Sequence, residues 1–433
     1  MSFEKSFCSS PWLHLRINST GTYEPCRWMN KVNGRKIDFD NSIQTTTPLV
    51  YFQKTMSGIR KEMLDGKPLD VCKECYVMDQ YDKPSGRLRQ LLKVGIQQDY
   101  FEKSLASSTF KNSFDYSADN QGQTDRMITD WQIDLGNHCN SACLYCHPHS
   151  SSRLATEYVQ LGLTDKMPPP SWCDDPVLLD KFVNDLISTS SSISYIHFLG
   201  GETVITPGFK KILTALINAG IAQDIVIGFT TNLTVWSDSL NELLIQFKQV
   251  HLGMSVDALT PINDYVRYPS QSESVMQCLN KWVEFGKEHN WLIQLRITPT
   301  CLTVHDLTTV YDYAWEHNCA VESCNFLDRP AHMKIGVLPM EHRKVIIEKI
   351  TNWLESHQAE FIGKIINTRD PNIARSEIVQ DATSYLNYLI GAEDESFRLP
   401  ELVEFLKIFE SNRKNSILTY LPQYEQLLRS AGY

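Results

Sequence analysis

The middle of the chain alternates between strand-like and helix-like patterns of apolar residues. Short apolar runs predict strands at residues 131–137, 193–202, 224–232, 250–258, 292–300 and 320–327. Apolar residues spaced three and four apart predict intervening helices at 153–162, 208–220, 240–248, 273–289 and 305–318. Repeated strand–helix steps indicate an α/β fold with a parallel sheet, and the pattern alone fits a barrel-like or a doubly wound sheet. Polar residues at the carboxyl ends of these strands mark the expected functional edge.

The two flanks of this region show different patterns. Residues 13–25 predict a hairpin, 58–66 and 86–98 predict helices, and the Ser- and Asn-rich stretch 104–124 is typical of a linker. After residue 327 the alternation stops, and 339–356 and 400–411 predict amphipathic helices that pack against the barrel. These changes divide the chain into an N-terminal region 1–125, a core 126–335 and a C-terminal helical extension 336–433.

The net charge and the cysteine content of the chain narrow the range of functional classes. The 433 residues include 41 basic and 51 acidic side chains, a net charge of -10, which disfavours nucleic acid as a partner. The chain shows neither a secretion signal nor a membrane-length apolar run, so we expect a cytoplasmic protein. Twelve cysteines in such a compartment point to metal or catalysis. We expect the scattered ones to be small buried hydrophobes, namely Cys173, Cys278, Cys301, Cys319 and Cys324.

Three cysteines lie close together in the loop after the first predicted strand of the core. Cys139, Cys143 and Cys146 are spaced C-x3-C-x2-C, at the expected functional edge. Three thiolates on a [4Fe–4S] cluster leave one iron open, as catalytic zinc sites leave one position open for a reacting ligand. The alternative from spacing alone is a zinc site whose fourth ligand is His138, His147 or His149.

Several motifs in sequence order resemble the radical S-adenosylmethionine (radical SAM) superfamily over residues 130–330. The cysteine triplet follows a strand, Tyr145 occupies the aromatic position before the last cysteine, and Gly200, Gly201 and Glu202 end the second strand as a GGE motif. The resemblance implies a partial (β/α)6 TIM-like barrel whose three cysteines hold a [4Fe–4S] cluster and whose Glu202 binds the methionine ammonium of SAM. It also implies a wider cofactor-binding set of Tyr145, Gly200, Gly201, Glu202, Thr231, Asn232, Ser255, Asp257, Arg267 and Arg296. No catalytic acid or base is assigned.

Four further cysteines form a second set near the N-terminus: Cys8, Cys26, Cys72 and Cys75. Judged by spacing, a zinc ribbon and an iron–sulfur cluster are equally good explanations. The segment 7–28, with its hairpin glycine and Pro-Cys end, resembles the opening of a twitch or SPASM domain. That resemblance implies an auxiliary [4Fe–4S] cluster held by all four thiolates. Such domains normally follow the barrel, whereas this one would precede it.

The resemblance implies a radical SAM oxidoreductase. Reduced cluster would cleave SAM to a 5′-deoxyadenosyl radical that abstracts hydrogen from a peptide or small-molecule substrate. The auxiliary cluster would assist electron transfer, and the net result would be oxidation or modification of the substrate. We expect a reducing partner such as flavodoxin or ferredoxin, and no membrane. The alternative is a non-catalytic zinc or iron–sulfur protein for binding or electron transfer.

Overall fold

The fold is built on one sheet of eight strands. The computed structural model describes residues 3–27, 41–79, 85–97, 100–322, 326–360, 362 and 371–433. The strand order is β2-β1-β3-β4-β5-β6-β7-β8, and every neighbouring pair is parallel except the β1–β2 hairpin. The strands are β1 His14–Ile17, β2 Tyr23–Glu24, β3 Asp130–Asp134, β4 Tyr195–Leu199, β5 Val226–Thr231, β6 Gln249–Ser255, β7 Leu292–Arg296 and β8 Ala320–Glu322.

Helices alternate with strands β3 to β8, and further helices precede and follow them. In the N-terminal region they are α1 Phe3–Ser6, α2 Pro48–Val50, α3 Ser57–Leu64, α4 Lys73–Met78, α5 Gly86–Lys93, α6 Phe101–Ser107 and α7 Lys111–Asp119. In the core they are α8 Ser152–Gln160, α9 Pro176–Ser188, α10 Pro207–Asn218, α11 Asp238–Leu244, α12 Ile262–Val266, α13 Ser272–Glu288 and α14 Leu307–His317. The C-terminal ones are α15 Met340–Ser356, α16 Pro371–Gly391, α17 Leu399–Arg413, α18 Ile417–Tyr420 and α19 Glu425–Ser430.

The six predicted strands of the core are confirmed as β3 to β8. They form a continuous parallel run in sequence order, which fits the predicted partial TIM-like barrel. The end of the sixth predicted strand, at residues 323–325, lies outside the described residues, and Cys324 lies there too. The other four scattered cysteines are buried, as expected of small hydrophobes.

Strands β4 and β7 each separate an apolar face from a polar one. In β4, Ile196 and Phe198 are fully buried, and the Phe198 ring lies 4.8 Å from that of Phe209 on α10. Alternation along a strand sends Tyr195 and His197 to the opposite face. β7 repeats the pattern with Ile293 and Leu295 against Gln294 and Arg296. The helices therefore cover the apolar face, and the polar face lines the concave side of the sheet.

The N-terminal region is joined to the core through the sheet. The predicted hairpin forms β1 and β2, but β1 also pairs in parallel with β3, from His14 opposite Asp130 to Ile17 opposite Ile133. Leu15, Ile17 and Tyr23 belong to the same hydrophobic cluster as the barrel. The sheet therefore crosses the predicted boundary at residue 125.

The prediction of a linker at residues 104–124 is wrong, because helices α6 and α7 occupy much of this segment. Phe101, Leu105 and Phe110 are buried in a second hydrophobic cluster around Phe7. The Trp12 indole donates a 2.8 Å hydrogen bond to the buried Ser117 hydroxyl. A few large apolar side chains that become buried outweigh the polar composition that favoured a linker.

The C-terminal helices pack against the barrel, as predicted. Helix α16 contacts β8, α14 and α15. The Tyr424 hydroxyl donates to the Cys301 carbonyl at 3.0 Å. No helix in the described part of the chain is long and apolar enough to cross a membrane.

Candidate SAM and iron–sulfur sites

The three-cysteine loop is fixed by backbone hydrogen bonds to its neighbours. Gly201 and Glu202 donate their N–H groups to the carbonyls of Gly136 and His138, both at 2.8 Å. A Cβ on Gly201 would lie 2.5 Å from the His138 carbonyl oxygen, so this contact requires glycine. The GGE motif thus acts first as a backbone support for the loop that carries Cys139.

The same loop is held on its other side by the end of α12 and the residues that follow it. Ala142 and Leu144 donate N–H groups to the carbonyls of Tyr268 and Val266, at 2.7 and 2.9 Å. These bonds lie between the first and last cysteines of the triplet. They fix the backbone from which the thiols project.

The three thiols line a single cavity of about 300 Å³. Burial raises the pKa of Cys139 to about 11 and that of Cys143 to about 12, and it also raises the pKa of Cys146. Buried thiols therefore stay protonated until a cation replaces the protons. His138, His147 and His149 are not among the described residues that line this cavity.

Glu202 is buried in the wall of this cavity. Its carboxylate accepts the N–H groups of Asn232 at 2.6 Å and Val204 at 3.2 Å. Burial raises its pKa to about 7, and these two hydrogen bonds oppose the shift. The Asn232 amide donates to Asn140 and Ser141, both at 2.9 Å, and so links the end of β5 to the cysteine loop.

Asp257 lies behind the cavity wall and joins three residues that do line it. It accepts the Arg267 Nε–H at 2.7 Å and the Thr298 N–H at 2.8 Å. It also accepts the Tyr145 hydroxyl. The Arg267 guanidinium lies 5.7 Å from the centre of the Tyr145 ring. Burial and the neighbouring Asp257 carboxylate keep the Tyr145 pKa well above its ordinary value, so the hydroxyl stays a donor.

The structure brings nearly all of the predicted cofactor residues to one place. Those lining the cavity are Tyr145, Gly200, Gly201, Glu202, Thr231, Asn232, Ser255, Arg267 and Arg296. Asp257 is the exception because it stands one layer behind Tyr145 and Arg267. The carboxyl ends of parallel strands meet at one edge of the sheet, which explains why positions so far apart in sequence converge.

The four N-terminal cysteines surround a second cavity, of about 230 Å³. Cys8, Cys26, Cys72 and Cys75 line it together with basic side chains that include Arg87 and Arg89. Burial raises the pKa of Cys8 to about 12 and raises those of Cys72 and Cys75, and thiolates on the neighbouring cysteines would raise the pKa of Cys8 and Cys72 further. Four mutually repelling thiolates in a buried cavity need a cationic group to hold them together.

Each of the two cysteine sets lines a cavity, and its thiols do not converge on the position of a single metal ion. Among the described residues, no group of three or more His, Cys, Asp or Glu side chains is arranged to hold one metal ion. A cube of four irons and four sulfides is wider than one ion, and its thiolates stand around it. The donor types and the cavities fit such clusters.

Two residues, one of them on the C-terminal helices, support the cysteine loop and carry no signal in the sequence. The Arg413 guanidinium of α17 donates to the Ala142 carbonyl at 2.7 Å and forms a two-point ion pair with Glu157 of α8, at 2.9 and 2.7 Å. Both side chains are buried. The local sequence carries no motif for this pair, since its members are distant in the chain.

Comparison with protein families identifies the core. Residues 133–301 match the Radical SAM superfamily. The chain therefore contains a radical SAM domain in this segment. The match includes the cysteine triplet, the GGE motif and strands β4 to β7. Comparison with curated proteins found no match.

Solved structures similar to this chain include Streptococcus suis SuiB bound to S-adenosylmethionine, with 12% identity over 69% of this chain and 63% of that one, and a TM-score of 0.37. Another is anSMEcpe with bound AdoMet, with 17% identity over 53% and 61%, and a TM-score of 0.38. TYW1 with a lysine-pyruvate adduct gives 11% over 56% and 76%, and a TM-score of 0.30. The similarity thus covers less than two thirds of the first two proteins' own lengths.

Proposed function

We propose that this protein is a radical SAM enzyme with two iron–sulfur clusters, one open to SAM and one fully held by protein thiolates. The observation that carries the proposal is the convergence of the cysteine triplet and the GGE motif on one cavity, in a domain that matches the superfamily. When bound, the cluster and SAM would supply one-electron cleavage of the sulfonium and abstraction of a hydrogen from substrate.

The residues of the first cavity would bind and orient SAM. Cys139, Cys143 and Cys146 would hold the cluster. The Glu202 carboxylate would accept the methionine ammonium, since an ionised carboxylate forms strong hydrogen bonds to a cation. Tyr145, fixed through its hydroxyl, would present its ring to the adenine. Burial of these groups excludes water from the reacting atoms.

The second cavity would hold an auxiliary [4Fe–4S] cluster on Cys8, Cys26, Cys72 and Cys75. The donor set of four buried thiols around one cavity supports this assignment. We propose that this cluster exchanges an electron with the substrate, so that the net reaction is an oxidation or related modification of a peptide or small molecule. A protein such as flavodoxin or ferredoxin would supply reducing electrons.

The test is anaerobic purification and reconstitution, followed by assays of iron, sulfide, zinc and 5′-deoxyadenosine. The proposal predicts two cubes per chain and reductant-dependent release of 5′-deoxyadenosine. Replacing Cys139, Cys143 and Cys146 with Ala should halve the iron and abolish the release. Replacing the four N-terminal cysteines should halve the iron while the first cluster remains.

Cys278→Ala is the matched control, because Cys278 is a buried cysteine of α13 outside both sets. It should keep full iron and full release. Zinc in place of iron, or no 5′-deoxyadenosine from the fully reconstituted protein, would contradict the proposal and favour a non-catalytic metalloprotein.

A further inference from the structure

One carboxylate stands between the two cavities. Glu322, at the end of β8, is the register partner of Arg296 on β7. The Arg296 Nε lies 3.4 Å from one Glu322 oxygen, and the Arg89 Nη1 lies 3.9 Å from the other. Arg296 lines the cavity of the cysteine triplet, and Arg89 lines the cavity of the four cysteines. Two guanidinium groups from different cavities therefore share one oxyanion.

These two ion pairs are longer than others around the cavities. Lys93 lies 2.6 Å from Asp130, Arg87 lies 2.6 Å from Asp79, and Arg267 lies 2.7 Å from Asp257. Charge-assisted N–H···O bonds normally measure about 2.7–2.9 Å. Neither the Arg296–Glu322 pair nor the Arg89–Glu322 pair is that short.

Arg296 also has unused hydrogen-bonding capacity. Its Nη1 donates to Thr230 at 3.2 Å, but its buried Nε has no hydrogen-bond partner in the part of the chain that the structure describes. A Cβ on Gly253 would lie 2.7 Å from this Nε, so glycine on β6 provides the space that Arg296 occupies. A buried guanidinium N–H that makes no hydrogen bond is costly, even where a carboxylate lies 3.4 Å away, and a ligand oxygen can supply that bond.

Two cations, Arg296 and Lys93, lie close enough to His197 to act on its protonation. The pKa of His197 is lowered to about 3, first by burial and also by the positive charges of Arg296 and Lys93. His197 therefore stays neutral and adds no charge of its own. Each of these two cations is paired with a carboxylate, Arg296 with Glu322 and Lys93 with Asp130.

We propose that Arg89 and Arg296 together bind an oxyanion of the substrate, a carboxylate or a phosphate, between the two clusters, and that Glu322 occupies this position until the substrate arrives. Arg296 would then bind the substrate and not SAM, unlike the other residues of the first cavity. This inference rests on the proposed function, because it names the substrate class of the same site. Guanidinium groups match the geometry of both oxyanions. Binding there would place the substrate against both cavities at once.

The test is calorimetric titration of the reconstituted protein with inorganic phosphate and, separately, with succinate, at constant ionic strength. We expect the wild type to bind at least one of them. The anion that binds more tightly shows whether the substrate group is a phosphate or a carboxylate. Arg89→Gln and Arg296→Gln should each weaken binding by about tenfold or more, the typical loss of a charged hydrogen bond. Glu322→Gln should instead tighten it, because the competing carboxylate is gone. Arg429→Gln, an exposed residue paired with Glu425, should change nothing.

The opposite direction expected for Glu322→Gln separates the proposal from misfolding, which could only weaken binding. Absence of binding of both anions to the wild type would overturn it. So would equal affinities in Arg89→Gln, Arg296→Gln and the control, or weaker binding in Glu322→Gln. Release of 5′-deoxyadenosine, measured on the same preparations, tests the proposed function separately. Release without anion binding refutes the oxyanion site alone, and binding without release refutes the proposed function alone.

Discussion

The ion pair between Arg413 and Glu157 gives the sharpest test of how the C-terminal helices support the cysteine loop. Arg413 donates twice to Glu157 and once to the Ala142 carbonyl, which lies between Cys139 and Cys143. The Arg413 guanidinium also stacks 4.6 Å from the Tyr268 ring centre. We therefore expect Arg413→Met to damage both global stability and the geometry of the loop.

The magnitude follows from burial. Both side chains are less than 8% exposed, so removing the arginine leaves a buried carboxylate without its cation. Removing one partner of a buried pair typically costs about 3–5 kcal/mol. Replacing both partners, as in Glu157→Gln with Arg413→Met, should cost less than Arg413→Met alone, because no uncompensated charge remains.

The assay is urea unfolding of the metal-free protein, followed by the rate at which the reconstituted protein loses iron. Arg413→Met should lower the free energy of unfolding and speed the loss of iron. Arg429→Gln removes an exposed pair and should cost no more than about 1 kcal/mol. A loss below about 1 kcal/mol for Arg413→Met, or a double variant less stable than the single one, would refute the reasoning.

Three further predictions test other parts of the structure. Arg60 is fully buried and donates to three carbonyls at 2.6–2.8 Å. Arg60→Met should therefore lower the free energy of unfolding in urea by about 3 kcal/mol or more, and Lys61→Gln, at the exposed neighbour, by about 0.5 kcal/mol or less. Equal losses of stability in the two variants would contradict this. Gly201→Ala should weaken SAM binding in equilibrium dialysis, because the added Cβ would lie 2.5 Å from the His138 carbonyl oxygen. An unchanged affinity would show that the cysteine loop moves to accommodate this atom without loss of SAM binding. Burial raises the pKa of Glu202 to about 7, so its carboxylate is charged above pH 7 and protonated below it. SAM affinity should therefore fall as the pH drops through 7, and Glu202→Gln should remove that pH dependence. The same pH profile in both proteins would rule out this carboxylate as the cause.

The strands of the core were predictable because their apolar runs are local and bounded by polar residues. β3 to β8 lie within the predicted segments or begin one residue earlier. The linker prediction was wrong because it relied on average composition, whereas Phe101, Leu105 and Phe110 bury themselves against Phe7. The pairing of β1 with β3 was also unpredictable, since a hairpin pattern does not say which further strand its outer edge meets.

The sequence by itself determined the cysteine spacing, the GGE motif and the strand–helix alternation. Each of these depends on residues close together in the chain, and their order carried the resemblance to radical SAM enzymes. Only the tertiary structure decided that Asp257 stands behind Tyr145 and Arg267, and that Glu322 stands between two arginines of different cavities. The same holds for Arg413 and Glu157, which are 256 residues apart. Such contacts depend on how the helices and strands pack against one another, and local patterns of hydrophobicity do not record that packing.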